Sequence, residues 1–131
     1  MIGTGFFNSG NYNAVRVYNP LLIQTLNKLF TKNLENRPLF VAEFGCGAGL
    51  FTQFLLQSNI TIKKLFLIDP DEKAIEQHKT LFLNNPRFNR FVYIQTAAES
   101  STLERESVNG LFCMQAFHWL NREAVRQEFL R

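Results

Sequence analysis

Cysteine is scarce in this chain, and so are histidine, tryptophan and proline. Two cysteines, Cys46 and Cys113, cannot build the disulfide framework of a small secreted domain, and their spacing is not that of a metal site. Both read as reduced thiols. Cys46 has no histidine near it in sequence, so it reads as small filler and not as a nucleophile. No apolar run reaches the roughly 18 residues that a membrane helix needs. The start, Met1-Ile2-Gly3-Thr4-Gly5, lacks the basic and apolar regions of a signal peptide. A cytoplasmic location with no membrane partner is the expectation. Charge of one sign is also missing. The formal net charge is +3 and the lysines and arginines are scattered, so no nucleic-acid partner is expected. Internal repeats and low-complexity tracts are absent.

What is present is apolar bulk. Hydrophobic residues make up 46% and charged residues 19%, a globular balance, and fourteen phenylalanines supply core material. The 131 residues suit a single domain over 1–131 that buries about two-thirds of its unfolded surface. The segment 1–13 is rich in Gly, Asn and Ser and reads as a flexible arm.

The stretch around which the chain is organised is Val41-Ala42-Glu43-Phe44-Gly45-Cys46-Gly47-Ala48-Gly49. The apolar residues Leu39-Phe40-Val41 precede it without helical spacing. Leu50, Phe51, Phe54 and Leu55 follow it at helical spacing. This is a strand, a glycine turn and a helix. Glycine permits positive φ and removes the side chain that would hold a ligand off the backbone. The start of the following helix would turn its N–H groups toward the same spot. The dinucleotide fingerprint G-x-G-x-x-G is not met, because its third glycine position, counted from Gly45, is Leu50.

The remaining chain reads as alternating helices and strands. Pro20 suits a helix start, and Leu22, Leu26, Leu29 and Phe30 form its stripe over 20–32. A second strand, 64–68, ends at Asp69. An acidic residue at that place can accept both hydroxyls of a ribose. Asp71 is the better cap for the helix at 71–83, since Asp69 is followed by Pro70. His78 lies on or beside that helix's packing stripe and receives no function. A third strand spans 91–94. The segment 100–107 is a loop or a short helix. A fourth strand is expected over 108–115 and a last helix over 121–131.

Glu43 to Gly49 resembles the first motif of the class I S-adenosylmethionine-dependent methyltransferases, which hold the methionine part of the cofactor on this turn. The resemblance extends over 12–131. Tyr12, Arg16 and Pro20 resemble the Tyr-x-x-x-Arg-Pro-x-Tyr-Pro entry of one branch, while Val17 and Asn19 depart from it. It implies that Tyr12 and Arg16 lie over the cofactor and reach its carboxylate. Ala98-Glu99 resembles the third motif, which contacts the adenine. The stretch 108–119 resembles the fourth motif, with Asn109 where an Asp is usual and His118-Trp119 after the strand. The implied cofactor contacts are Tyr12, Arg16, Glu43, Gly45, Cys46, Gly47, Asp69, Pro70, Ala98, Glu99 and Gln115. His118 is the candidate catalytic base.

The expected fold is therefore α/β, a Rossmann-like doubly wound parallel sheet with helices on both faces. It is truncated after the fourth strand, in the order 3-2-1-4. The family's seven-stranded sheet would need three more strands. The fourth strand would then be an edge, open to self-association or to a second chain. The expected function is methyl transfer from S-adenosylmethionine to a small molecule, or the cofactor-binding part of that activity. A non-catalytic binding or regulatory module stays open as an alternative. A nicotinamide-dependent dehydrogenase is disfavoured by Leu50. The Asn/Asp-Pro-Pro-aromatic signature of nucleic-acid amino methyltransferases is missing after the fourth strand.

Overall fold

The computed structural model describes residues 19–34, 37–114 and 120–131. The arm at 1–13, Tyr12, Arg16, Gln115, His118 and Trp119 lie outside the described residues.

Strand β1 (Leu39–Phe44) lies inside a four-stranded parallel sheet. On one side it pairs with β2 (Ile62–Ile68), which pairs with β3 (Phe91–Ile94); on the other it pairs with β4 (Gly110–Phe112). The order β3-β2-β1-β4 is the one expected from right-handed crossovers.

Side chains alternate across this sheet with a period of two. Leu39 and Val41, Leu65 and Leu67, Phe91 and Tyr93, and Phe112 join one apolar cluster. Ala42 and Phe44, Phe66 and Ile68, Ile94 and Leu111 join another. Both faces are covered, which is why β1 and β2 read as continuous apolar runs. Helix α1 (Leu21–Leu34) contributes Leu26 to the first face, and α2 (Leu50–Leu55) contributes Phe51, Phe54 and Leu55. Helix α3 (Glu72–Phe82) packs His78 and Phe82 against Phe91 of the same face. Helix α4 (Arg122–Leu130) covers the second face with Val125. Among the described residues no helix is long and apolar enough to cross a membrane.

The helix starts follow from their caps. Asp71 accepts hydrogen bonds from the Lys73 and Ala74 N–H groups, so α3 begins at Glu72. Asn121 accepts from the Ala124 N–H, so α4 begins at Arg122.

Two boundaries differ from the expectation. β2 begins at Ile62, two residues early, and a register shift between Leu39 and Phe40 takes up the irregularity. β4 is three residues long and not the eight of 108–115. At its start, Asn109 bonds Phe40 twice. Its N–H donates to the Phe40 carbonyl at 2.7 Å, and its side-chain Oδ1 accepts the Phe40 N–H at 3.0 Å. The side chain thus takes the place of a strand carbonyl, and the regular ladder begins at Gly110. At its end, pairing stops where Phe112 meets Glu43. Asn109→Ala is expected to cost about 1 kcal/mol and Asn109→Asp much less, because the aspartate keeps the acceptor. Denaturant unfolding of the two variants checks this, and equal losses would contradict it.

Candidate functional site

β1, β2 and β3 end at the same edge of the sheet, and the chain then crosses back to β4. The switch point therefore falls between β1 and β4, beside the glycine turn, where open α/β sheets bind ligands. Gly45, Gly47 and Gly49 have φ of 71°, 54° and 102°. Three left-handed residues at alternate positions are the reason that this turn is written with glycine.

The turn uses its own N–H groups. Gly45 and Cys46 donate to the Ile68 carbonyl, Gly49 donates to the Cys46 carbonyl, and Gly47 donates to Asp69 Oδ2 at 3.0 Å. These four donors are spoken for, and the helix that follows is only six residues long. These four N–H groups are therefore not free for an anion, and the Asp69 carboxylate lies against the turn.

Asp69 is the centre of that arrangement. It is 3% exposed. Oδ2 takes the Gly47 N–H, and Oδ1 takes the Asp71 N–H at 2.9 Å. Each carboxylate oxygen keeps a further lone pair, so both can still accept a hydroxyl. Burial raises the Asp69 pKa above the ordinary value, while its two N–H donors pull it back. Asp71 does the capping, and Pro70 between them is exposed.

Gly49 has a different purpose from the one read in the sequence. A Cβ there would lie 2.7 Å from the Phe82 ring, 3.2 Å from His78 and 3.2 Å from Leu81. What approaches this glycine is helix α3. Cys46 is buried in the first apolar cluster, and burial pushes its thiol well above the ordinary range, as expected of filler.

Beneath the turn runs a polar chain that the sequence did not announce. Glu43 Oε2 lies 2.5 Å from Thr52 Oγ1, Thr52 Oγ1 lies 2.8 Å from His78 Nε2, and His78 Nδ1 lies 2.8 Å from the Tyr93 hydroxyl. Its four members come from β1, α2, α3 and β3. Glu43, Thr52 and His78 are buried, and Tyr93 is half-buried. Glu43 and Thr52 flank the turn, so their bond closes it from below. Burial pushes the Glu43 carboxyl up to about 8, with Asp69 adding to the shift and the Thr52 bond opposing it. Burial lowers His78 to about 3.

These two groups set the pH dependence of stability. The folded chain keeps the Glu43 proton up to about pH 8, whereas the unfolded chain releases it near 4.5. Stability is therefore lost as pH rises across that interval. The folded chain refuses a proton on His78 down to about pH 3, whereas the unfolded chain takes one up near 6.5. Stability is therefore lost as pH falls across that interval. The two slopes oppose each other between about pH 4.5 and 6.5, where stability is expected to be greatest. From pH 6.5 to 8 the Glu43 slope is no longer opposed by His78 and amounts to about 1.4 kcal/mol per pH unit. Denaturant midpoints from pH 5 to pH 9 would show this fall. A flat profile above pH 6.5 would mean that Glu43 ionises freely in the folded chain.

The third-motif pair sits in a 3-10 turn, Ala98–Ser100. The Ala98 side chain is buried in the second apolar cluster. Glu99 Oε1 accepts the Asn121 N–H at 2.8 Å, which ties the start of α4 to this turn. Glu99 Oε2 is buried with no hydrogen-bond partner. The structure brings Glu43, Gly45, Cys46, Gly47, Asp69 and Pro70 together around one turn. Ala98 and Glu99 form a separate turn after β3.

A family model described as a methyltransferase domain matches residues 42–131, from within β1 to the last residue. A search of curated proteins returns no match to the chain. Solved structures do match. A protein assigned as a type II methyltransferase from Anaeromyxobacter dehalogenans is 26% identical, over 87% of this chain and 42% of that one, with a TM-score of 0.61. A protein assigned as an S-adenosylmethionine-dependent methyltransferase from Methanococcus maripaludis is 12% identical, over 86% of this chain and 49% of that one, with a TM-score of 0.69. An S-adenosylmethionine-dependent methyltransferase from Aquifex aeolicus is 18% identical, over 88% of this chain and 67% of that one, with a TM-score of 0.61. This chain spans less than half the length of the first two. The sheet order and the glycine turn agree with these matches, and the family model covers more than two-thirds of the sequence: the chain belongs to the methyltransferase domain family.

Proposed function

We propose that the chain is the S-adenosylmethionine-binding part of a methyltransferase that acts on a small molecule. The observation that carries the cofactor reading is the use of the turn's N–H groups. They bond Ile68, Cys46 and Asp69, so at these positions the turn presents the Asp69 acceptor where a pyrophosphate would need donors. The Asp69 acceptor serves the ribose of either cofactor, and the engaged donors suit a cationic sulfonium better than a pyrophosphate. The orphaned buried oxygen of Glu99 supports the same reading, since it can accept an N–H from a ligand at the strand ends.

S-adenosylmethionine, when bound, supplies an electrophilic methyl group. The protein's share is then to bind, orient and exclude water. Asp69 accepts the ribose hydroxyls. Gly45 and Gly47 let the ligand approach the backbone. Glu99 holds the start of α4 in place through Asn121. Tyr12 and Arg16 at the carboxylate, Gln115 as a polar contact and His118 as base are carried by the resemblance alone.

S-adenosylhomocysteine at a hundredfold excess over its Kd should stabilise the fold by about 2.7 kcal/mol and raise the melting midpoint by several degrees. NAD at the same concentration should not. With methyl-labelled cofactor, label should appear in small-molecule acceptors. Label recovered only in nucleic acid or protein would contradict the substrate class.

A further inference from the structure

Glu43, Thr52 and His78 are buried, and the chain they form with Tyr93 places a carboxyl directly under the turn. The chain has one unusual property. Every link in it can reverse direction. With Glu43 ionised, Thr52 donates to Glu43 Oε2, His78 Nε2–H donates to Thr52, and the Tyr93 hydroxyl donates to His78 Nδ1. With Glu43 protonated, Glu43 donates to Thr52, Thr52 donates to His78 Nε2, and His78 Nδ1–H donates to the Tyr93 oxygen. The histidine changes tautomer and no hydrogen bond is lost. Glu43 can therefore change charge without disturbing the turn above it.

The surroundings decide which state is held. Asp69 at the end of β2, the Cys46 thiol in the turn and the Cys113 thiol after β4 act on the carboxyl or are acted on by it, as does Tyr93 on β3. Thr52 on α2 and His78 on α3 are neutral. Lys79 lies over the Tyr93 ring at 5.1 Å, at the far end of the chain. Among the described residues no cation is paired with Glu43. A positive charge arriving on the turn would be the first to favour its ionised form.

We propose that Glu43 is a specificity-determining residue that reads ligand charge: it stays protonated when the turn is empty or holds a neutral thioether, and it releases its proton when a cationic sulfonium is seated. This rests on the cofactor reading above. The proton leaves by the relay, from Glu43 through Thr52 and His78, and the hydroxyl of half-buried Tyr93 passes one on toward solvent. One proton goes out and one carboxylate remains. The substrate cofactor is a sulfonium and the product is a thioether, so this device favours the first over the second.

Calorimetric titration of the full chain at pH 7, in buffers of different ionisation enthalpy, counts protons released on binding. S-adenosylmethionine should release a substantial fraction of one proton more than S-adenosylhomocysteine. The difference should shrink by that fraction in Glu43→Gln, where whatever remains belongs to the ligands' own amino groups. In the unaltered chain the ratio of the two affinities should favour the sulfonium by roughly three- to tenfold more per pH unit from 6 to 8 and level off above. Equal proton release for the two ligands, or a ratio independent of pH, would overturn the proposal while leaving the cofactor reading intact. A folded chain that binds neither ligand would end both.

Discussion

Asp69→Ala should weaken S-adenosylhomocysteine binding by about 30- to 1000-fold, corresponding to roughly 2–4 kcal/mol for charge-assisted hydrogen bonds to two hydroxyls. Among the described residues, Asp69 is the acidic group that bonds the turn. Its removal takes away the ribose acceptor and leaves the Gly47 N–H, now accepted at 3.0 Å, without its partner. The second loss deepens the first, because the turn itself loosens. Asp71 remains to cap α3, so the helix should survive the substitution. Calorimetry on the variant, with circular dichroism to confirm its fold, tests the expectation. A loss below threefold would mean that the ribose is held elsewhere.

Gly49→Ala should destabilise the fold by about 2–4 kcal/mol, from a left-handed backbone position and an overpacked contact together. The backbone there has φ of 102°, and the new Cβ would sit 2.7 Å from Phe82 Cε2 in a buried wall formed with His78. For a domain of this size the melting midpoint should fall by about 10 °C. The expectation separates two meanings of a glycine. If Gly49 served the ligand alone, alanine would reduce binding and leave melting in the absence of ligand unchanged. Because it serves the contact between the turn and α3, melting without ligand should change first.

What could be read from the sequence was whatever is local. The strand, turn and helix around Gly45–Gly49 are contiguous, and the alternation of apolar residues in β1 and β2 follows from two covered faces. Asp71 as cap and Asp69 as the strand-end acid follow from their places relative to Pro70. The sheet order follows from chirality, once the strands are known. What was hidden depends on residues distant in the chain. His78 sits at helical spacing with Ala74, Ile75 and Phe82, so it reads as core. Only the fold shows Thr52 on one side of it and Tyr93 on the other. The Thr52 hydroxyl, nine residues from Glu43, was the one available signal for a buried polar chain. The apolar run over 108–115 predicts a longer β4 than forms, because pairing with β1 stops at Phe112 and the Asn109 side chain replaces a backbone bond at its start.

The most direct test of the central claim is calorimetric titration of the folded chain with S-adenosylhomocysteine, with NAD as the competing ligand. The turn's bonded N–H groups and the Asp69 carboxylate beside it predict saturable binding of the first and none of the second. Binding of NAD in preference would contradict the account, because the turn would then be accepting a pyrophosphate although the N–H groups of Gly45, Cys46, Gly47 and Gly49 are already engaged.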